Sequence, residues 1–217
     1  MNPVPNFNRL AQIYRWLEYL SFGPFLWRCR IRFLPDLAHC RRALVLGDGD
    51  GRFTARLLQT NRGAVVHAVD GSTRMMEFLG RACSANSSRL TMQISDIRTW
   101  QPTTSAHYDL VVTHFFLDCL KSTEIAALAA RIAPSVTPGT LWLVSEFAVP
   151  STRFGRLVAG PLVTALYHAF GLLTNLRVRS LPNYEQALRC AGWCPIYEDR
   201  SLNGLLVSQL WRLVPCK

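Results

Sequence analysis

The sequence predicts an α/β fold: one mostly parallel sheet of seven strands, with an antiparallel pair at its C-terminal edge and helices on both faces. From residue 43 onward, short apolar runs alternate with stretches of helical spacing, the pattern of parallel strands joined by helices. Near the end, two strand-like runs flank Asn203-Gly204, a dipeptide that favours a reversal between antiparallel strands. With 49% hydrophobic and 18% charged residues, the composition suits a packed core. We expect a single domain over residues 1–217.

The strands are predicted where apolar runs stand between turn residues and helical stretches. The parallel strands are expected at residues 43–46, 64–69, 90–94, 108–112 and 141–144. Amphipathic helices are expected at residues 53–58, 73–82 and 122–132. The C-terminal part is expected to hold a helix at 182–191, ended by Gly192, and strands at 195–197 and 205–211.

Two helical segments are predicted before the first strand. Over residues 7–20 apolar side chains recur on one helical face, and Gly23-Pro24 ends that segment. A second, basic helix is predicted over residues 25–34 and is stopped by Pro35. We therefore expect the sheet to be preceded by a helical region.

Residues 157–176 carry no acidic residue, lysine or arginine, and by length alone this stretch is long enough to span a bilayer. Pro161, His168 and Asn175 interrupt it. A spanning helix there would also separate strands that must pair in one sheet. We expect a substrate-covering insertion instead.

The net charge is +10, and Lys121 and Lys217 are the only lysines among 24 basic residues. An RNA partner, an anionic membrane and simple solvation of the arginines are all consistent with this charge. The seven cysteines include no CxxC pair, and Cys190 and Cys194 lack the further ligands of a zinc site. We expect reduced cysteines, no bound metal and a cytoplasmic protein, with contact at a membrane surface as an alternative.

The first strand runs into Gly47-Asp48-Gly49-Asp50-Gly51. Glycines at such a turn allow a ligand to approach the backbone, and the following helix N-terminus favours a negative group. The dinucleotide-binding fingerprint needs a further glycine at the position of Arg52, which disfavours a dehydrogenase. Turn geometry without a ligand remains the alternative.

Two further acids follow the ends of strands. Asp70 ends the second strand, where a carboxylate can accept hydrogen bonds from both hydroxyls of a ribose. Asp96 follows the third strand and can accept from the amine of adenine, while Ile97 offers apolar contact to the ring. The alternatives are a surface acid beside a helix cap at Ser72, and a loop aspartate. Because open α/β sheets bind ligands at this edge, the series predicts a nucleoside site.

The chain resembles the class I S-adenosylmethionine (SAM)-dependent methyltransferases, above all the small-molecule branch that includes ubiquinone and menaquinone methyltransferases. The resemblance lies in ALVLGDGDG, VVHAVDGSTRMM, ISDIRTW, YDLVVTHFFLD and TPGTLWLVSEF. It implies a Rossmann-like fold, SAM as methyl donor and S-adenosylhomocysteine as product. The chain would divide into a helical lid (1–40), a SAM-binding core (41–150), an apolar substrate-side insertion (151–181), and a C-terminal helix and strand pair (182–217).

The resemblance also assigns roles to single residues. Backbone around Thr113 would lie near the methionine end of SAM, and Tyr14 on the N-terminal lid would face the site. Val45 stands where the family often carries an acid, so a contact to the SAM ammonium group would be absent or supplied by Asp48. The remaining cofactor contacts would come from Gly47, Asp48, Gly49 and Gly51 for the methionine part, from Asp70, Gly71 and Met75 for the adenosine, and from Asp96 and Ile97 for adenine.

The acceptor is predicted to be small and lipophilic or aromatic. His114, which follows the fourth strand, is the first candidate for a general base, with Asp118 second and Glu146 third. Phe115 and Phe116 suit either an acceptor pocket or core packing. Thr113-His114-Phe115-Phe116 after the fourth strand contains no proline, unlike the NPPY-type motif of many methyltransferases that act on exocyclic amines, which disfavours N-methylation of adenine or glutamine. An RNA methyltransferase, a SAM-binding regulatory protein without turnover and a homodimer remain open.

Overall fold

Seven strands form one sheet in the computed structural model, which describes residues 22–153, 155–165 and 181–214. The first predicted helix (7–20) and Tyr14 lie outside the described residues. The strands are β1 (Arg42–Leu46), β2 (Val65–Asp70), β3 (Leu90–Ile94), β4 (Tyr108–His114), β5 (Val136–Phe147), β6 (Trp193–Ser201) and β7 (Leu206–Leu213). The helices between them are α1 (Phe25–Ile31), α2 (Arg52–Thr60), α3 (Thr73–Ala82), α4 (Ser122–Ile132) and α5 (Tyr184–Cys190).

The strand order is β3-β2-β1-β4-β5-β7-β6. The strands from β3 to β5 pair in parallel, and β7 pairs antiparallel with both β5 and β6. The predicted fold class is therefore confirmed. Since the chain runs outward from β1 in one direction and from β4 in the other, a crevice opens between their carboxyl ends, which is where such sheets bind ligands.

β5 and β6 extend furthest beyond the bounds that the sequence predicts. β5 begins at Val136 and runs through Pro138-Gly139, because Tyr108 of β4 still pairs with Val136 across an irregularity in the register. β6 extends over Trp193–Ser201 because β7 offers it a partner along this length. The chain reverses between β6 and β7 in a single 3-10 turn at Leu202–Gly204, as Asn203-Gly204 predicts.

Helices cover both faces of the sheet, so both faces bury apolar cores. One core includes Trp142, Trp193 and Trp211 and packs under α4 and α5, while α2 and α3 cover the other. The bounds of α3 and α4 match the prediction. α1 ends three residues early because Pro35 lies in a separate 3-10 turn, Leu34–Leu37.

A short helical segment follows β5 at residues 155–165, here called the insertion helix. Its Ala159 and Val163 share a third apolar cluster with Phe22, Leu26 and Cys29 of the α1 region. The cluster also contains Leu205 and Leu206 at the start of β7, so both helices rest at the edge where β5 ends. Within the described ranges, no helix is long and apolar enough to cross a bilayer.

Gly51 is required for helix packing as well as for the turn. Its φ is +76°, and a Cβ atom there would lie 2.5 Å from the Cα of Leu79 in α3. This glycine thus lets the start of α2 approach α3.

We predict that Gly51→Ala lowers the free energy of unfolding by about 2–4 kcal/mol, because the left-handed backbone and the overlap with Leu79 both cost energy. Gly139→Ala is the matched control, since Gly139 also has positive φ (+82°) but no atom within 4 Å of the added Cβ. The control should lose about 1–2 kcal/mol. Equal losses in urea unfolding would contradict the packing explanation.

Candidate active site

The loop after β1 leaves open space beside its backbone. Gly47 and Gly49 both have φ of +66°, which glycine adopts without strain. A Cβ atom at Gly49 would meet no atom within 4 Å, so a ligand can lie against this backbone. At Gly47 the ring of Phe116 occupies that space and packs directly on the glycine. Any side chain at Gly47 would displace the loop that follows β4.

Asp48 is buried, and its carboxylate accepts a hydrogen bond from the protein backbone. Its Oδ2 accepts a hydrogen bond from the backbone amide of Thr54 at 2.9 Å, in the first turn of α2. Burial raises the pKa of Asp48 to about 6, against the lowering effects of Thr54 and the charge of Arg30. The position where the family often carries an acid, Val45, lies in the core. Asp48 is therefore the buried acid of this loop, with one oxygen committed to α2.

Asp70 joins the glycine loop to the end of β2. Its carboxylate accepts from the backbone amide of Ser72 at 2.8 Å and also from the backbone of Gly49. Burial raises the pKa of Asp70 to about 6. Ser72 caps α3 by accepting from the amide of Met75 at 3.2 Å. The cap and the acid therefore coexist, and the two predicted nucleoside-binding motifs lie in direct contact.

The expected adenine-binding residues lie one strand further out. Asp96 pairs with Arg98, whose Nη2 lies 2.8 Å from Oδ2, and this bond lowers the pKa of Asp96. Ile97 and Met75 are buried, and beside Gly71 the nearest atom to an added Cβ is the carbonyl oxygen of Ser95 at 3.7 Å. An apolar floor and a fixed carboxylate thus stand next to Asp70.

His114 ends β4 in a buried position where neither ring nitrogen has a hydrogen-bond partner. Its ring meets Phe53 edge-on, with centroids 4.4 Å apart. Burial, and then the charge of Arg30, lower the pKa of His114 well below its usual value, so the imidazole is neutral. Buried polar atoms without partners are rare in proteins, and they mark places where a ligand or water binds.

Thr113 and Arg30 lie close to His114 at the end of β4. The side chain of Thr113 turns into the core, where its Oγ1 accepts from Trp142 Nε1 at 3.0 Å, so only its backbone faces the crevice. Arg30 of α1 is buried and lies 5.2 Å above the ring of Phe115. A residue of α1 therefore reaches the same edge as His114.

Glu146, at the end of β5, holds the loop after β4. Its Oε1 accepts from the amides of Phe116 at 3.0 Å and Leu117 at 2.8 Å, while its buried Oε2 has no partner. Burial, and then the charge of Asp118, raise the pKa of Glu146 well above its usual value. The Sγ of Cys119 donates to Asp118 at 3.4 Å. Two buried acids thus lie together beside the crevice. Their grouping depends on the β4–β5 pairing, so the sequence alone ranked Glu146 only third.

A groove of about 480 Å³ opens beside these acids. It is lined by the chain after β5 from Phe147 to Val149, by Gly160, Val163 and Thr164 of the insertion helix, and by Leu181 to Glu185. The rings of Phe115 and Phe147 are 5.0 Å apart at its inner side. The predicted apolar insertion (151–181) is described over 151–153, 155–165 and 181, and Gly160, Val163, Thr164 and Leu181 of this part line the groove. No group of residues able to hold a metal ion occurs in the described part of the chain.

One family model matches the part of the chain that contains this site. Residues 43–139 match a family model described as a methyltransferase domain. The match begins in β1, ends within β5, and includes the glycine loop, Asp70, Asp96 and His114. No curated protein has a significant sequence match to the chain.

Solved structures share the fold of this chain. An O-methyltransferase family protein from Burkholderia thailandensis is 14% identical with a TM-score of 0.71, and the alignment covers 95% of this chain and 60% of that protein. An O-methyltransferase family 2 protein from Planctomyces limnophilus, complexed with apigenin, is 18% identical with a TM-score of 0.67, covering 92% and 61%. Human N-acetylserotonin methyltransferase, complexed with SAM, is 18% identical with a TM-score of 0.64, covering 95% and 59%. The chain spans about 60% of the length of these proteins.

We predict that Asp70 makes the protein without SAM less stable as pH rises from about 4 to 6. The pKa of Asp70 is raised from 3.8 to about 6 on folding, so the folded state binds the extra proton in this window and loses stability as pH rises through it. Asp70→Asn should weaken this dependence, leaving the contributions of Asp48 and Glu146, whose pKa values are also raised on folding. Urea unfolding at both ends of the window measures it, with exposed Asp36→Asn as the control. An unchanged pH dependence in Asp70→Asn would contradict the assignment.

Proposed function

We propose that this protein transfers the methyl group of SAM to a small, lipophilic or aromatic acceptor and releases S-adenosylhomocysteine. The observation that carries the proposal is the contact between the glycine loop and Asp70 at the β1–β4 crevice, inside the segment that matches a methyltransferase domain. SAM is the cofactor, and when bound it would supply a methyl group whose carbon is made electrophilic by the positively charged sulfonium.

The residues present suit this cofactor. The open backbone at Gly49 and the loop at Gly47 and Asp48 accommodate the methionine part, with the backbone of Thr113 beside them. Asp70 accepts from the ribose hydroxyls, since a carboxylate at a strand end can take both bonds. Gly51 sets the shape of the turn through its packing on α3. The adenosine is enclosed by Gly71, Met75, Asp96 and Ile97.

The acceptor class is proposed from the groove. Its walls include Phe147, Val149, Val163 and Leu181, so an apolar molecule gains from entering it. Among the structural relatives, the protein from Planctomyces limnophilus is complexed with apigenin, a small aromatic molecule, which agrees with such an acceptor. The quinone-like branch remains a prediction from the sequence.

Methyl transfer depends mainly on positioning and on the exclusion of water, and it needs a base only when the acceptor must lose a proton. We propose His114 as the base, because one of its two unpartnered ring nitrogens carries a lone pair that can accept this proton. Its lowered pKa makes it a weak base until a bound acceptor offsets the cost of burying the charge. Asp118 of the loop after β4, which lies beside Glu146, is the alternative. Glu146 itself acts by fixing the loop that carries Asp118.

We predict that Asp70→Ala weakens SAM binding by about tenfold to a hundredfold, as the loss of hydrogen bonds to a charged group implies. Titration calorimetry of SAM against wild type, Asp70→Ala and the exposed control Asp36→Ala measures the effect. An unchanged affinity for SAM in Asp70→Ala would contradict the proposed contact between Asp70 and the ribose. NADH binding more tightly than SAM would overturn the whole proposal.

We predict that His114→Ala lowers turnover by about 10²–10⁴-fold, the usual contribution of a positioned base, while SAM affinity stays nearly constant. The assay follows labelled methyl transfer from SAM to a panel of phenols and quinols, with an RNA extract in parallel. A loss of turnover in Asp118→Asn but not in His114→Ala would assign the role of the base to Asp118. Normal turnover in both variants would mean that the protein acts by positioning the substrates, without a base. Preferred labelling of RNA, or SAM binding without any product, would contradict the proposed acceptor.

A further inference from the structure

The insertion helix is apolar on its outer side as well as on its buried side. Its buried side carries Ala159 and Val163, which pack in the cluster shared with α1. Its outer side carries Leu157, Val158 and Leu162, whose exposed fractions are 75%, 49% and 38%. Three large aliphatic side chains on one exposed helical segment form more than the scattered apolar surface of an ordinary soluble domain.

Positive charge surrounds these side chains. Arg153 and Arg156 are exposed at the start of the segment, and the sequence from residue 151 to 165 contains no acid. α1, which packs on the same cluster, also contains no acid, and it exposes Phe25 and Arg28 on the side away from that cluster. We call the outer sides of α1 and the insertion helix together the basic apolar face.

We infer that the basic apolar face binds the surface of an anionic lipid membrane. Aliphatic side chains enter the boundary between headgroups and acyl chains, and neighbouring arginines pair with anionic headgroups. The net charge of +10 attracts the whole protein to such a surface.

The other partners fit this face less well. A second copy of the chain would bring two proteins of the same high positive charge together, which opposes self-association through this face. A nucleic acid would pair with the arginines but would leave Leu157 and Leu162 against phosphates and water. An anionic bilayer satisfies both the charge and the apolar side chains.

The face lies next to the proposed acceptor groove. Gly160, Val163 and Thr164 of the same helix line the groove, while Leu157, Val158 and Leu162 point outward. If the acceptor is lipophilic, which rests on the proposed function, docking places the groove beside the phase in which the acceptor dissolves. Membrane binding itself does not depend on that step.

Cosedimentation of the full chain with vesicles tests the inference. Vesicles of phosphatidylcholine alone are compared with vesicles of phosphatidylcholine mixed with phosphatidylglycerol, at low and high salt. The wild type should bind the mixed vesicles and release with salt. Leu157→Ser with Leu162→Ser should weaken binding by about tenfold or more, from the loss of apolar burial. Arg153→Glu with Arg156→Glu should also weaken it and reduce the salt dependence.

The matched control is Val65→Ser with Met92→Ser, which removes exposed apolar side chains on β2 and β3 and should bind like the wild type. SAM binding, measured by calorimetry in every variant, shows that the protein is folded and tests the cofactor site separately. Failure of the wild type to bind mixed vesicles, or equal binding by the Leu157/Leu162 variant, overturns the inference. Light scattering that shows a dimer dispersed by the same two substitutions would assign the face to a second copy instead.

Discussion

The pairing of β1 with both β2 and β4 is the constraint on which the site depends. Leu46, the last residue of β1, pairs with Val69 on one side and with Thr113 on the other. One residue further along, the three strands therefore present Gly47, Asp70 and His114 at one edge. Because side chains alternate across a strand, a slip of one residue would turn each of these positions to the opposite face. The apolar cores on both faces of the sheet fix the register, and the register assembles the site.

The site contains buried ionisable side chains whose charged forms the folded protein stabilises poorly. Burial raises the pKa of Asp48, Asp70 and Glu146 and lowers the pKa of His114. Each of these shifts means that the charged form costs free energy in the folded protein without a ligand. Perturbed pKa values gathered in one crevice are typical of functional sites. The free energy of folding that these buried groups cost is what we expect at a site that binds a ligand.

The sequence predicts those parts of this structure that depend on local chemistry. Ser72 as a cap and the apolar spacing after it predicted both ends of α3. The sequence also predicted that Asp70 stands at the end of β2, where the structure places it. The sequence does not predict features that depend on pairing between distant segments. The early start of β5 depends on the partner that β4 offers, and the hydrogen bonds of Glu146 to the loop after β4 exist only in the β4–β5 register. The close approach of Gly51 to Leu79 is a tertiary contact that the sequence does not reveal.

The distribution of charge joins the two surfaces of the molecule. The protein carries 24 basic residues against 14 acids, yet six of those acids stand at or just beyond the carboxyl ends of β1 to β5. They are Asp48, Asp50, Asp70, Asp96, Asp118 and Glu146. This edge therefore gathers acids although the protein as a whole is positively charged. The exposed sides of α1 and the insertion helix carry the opposite arrangement, with arginines and no acids.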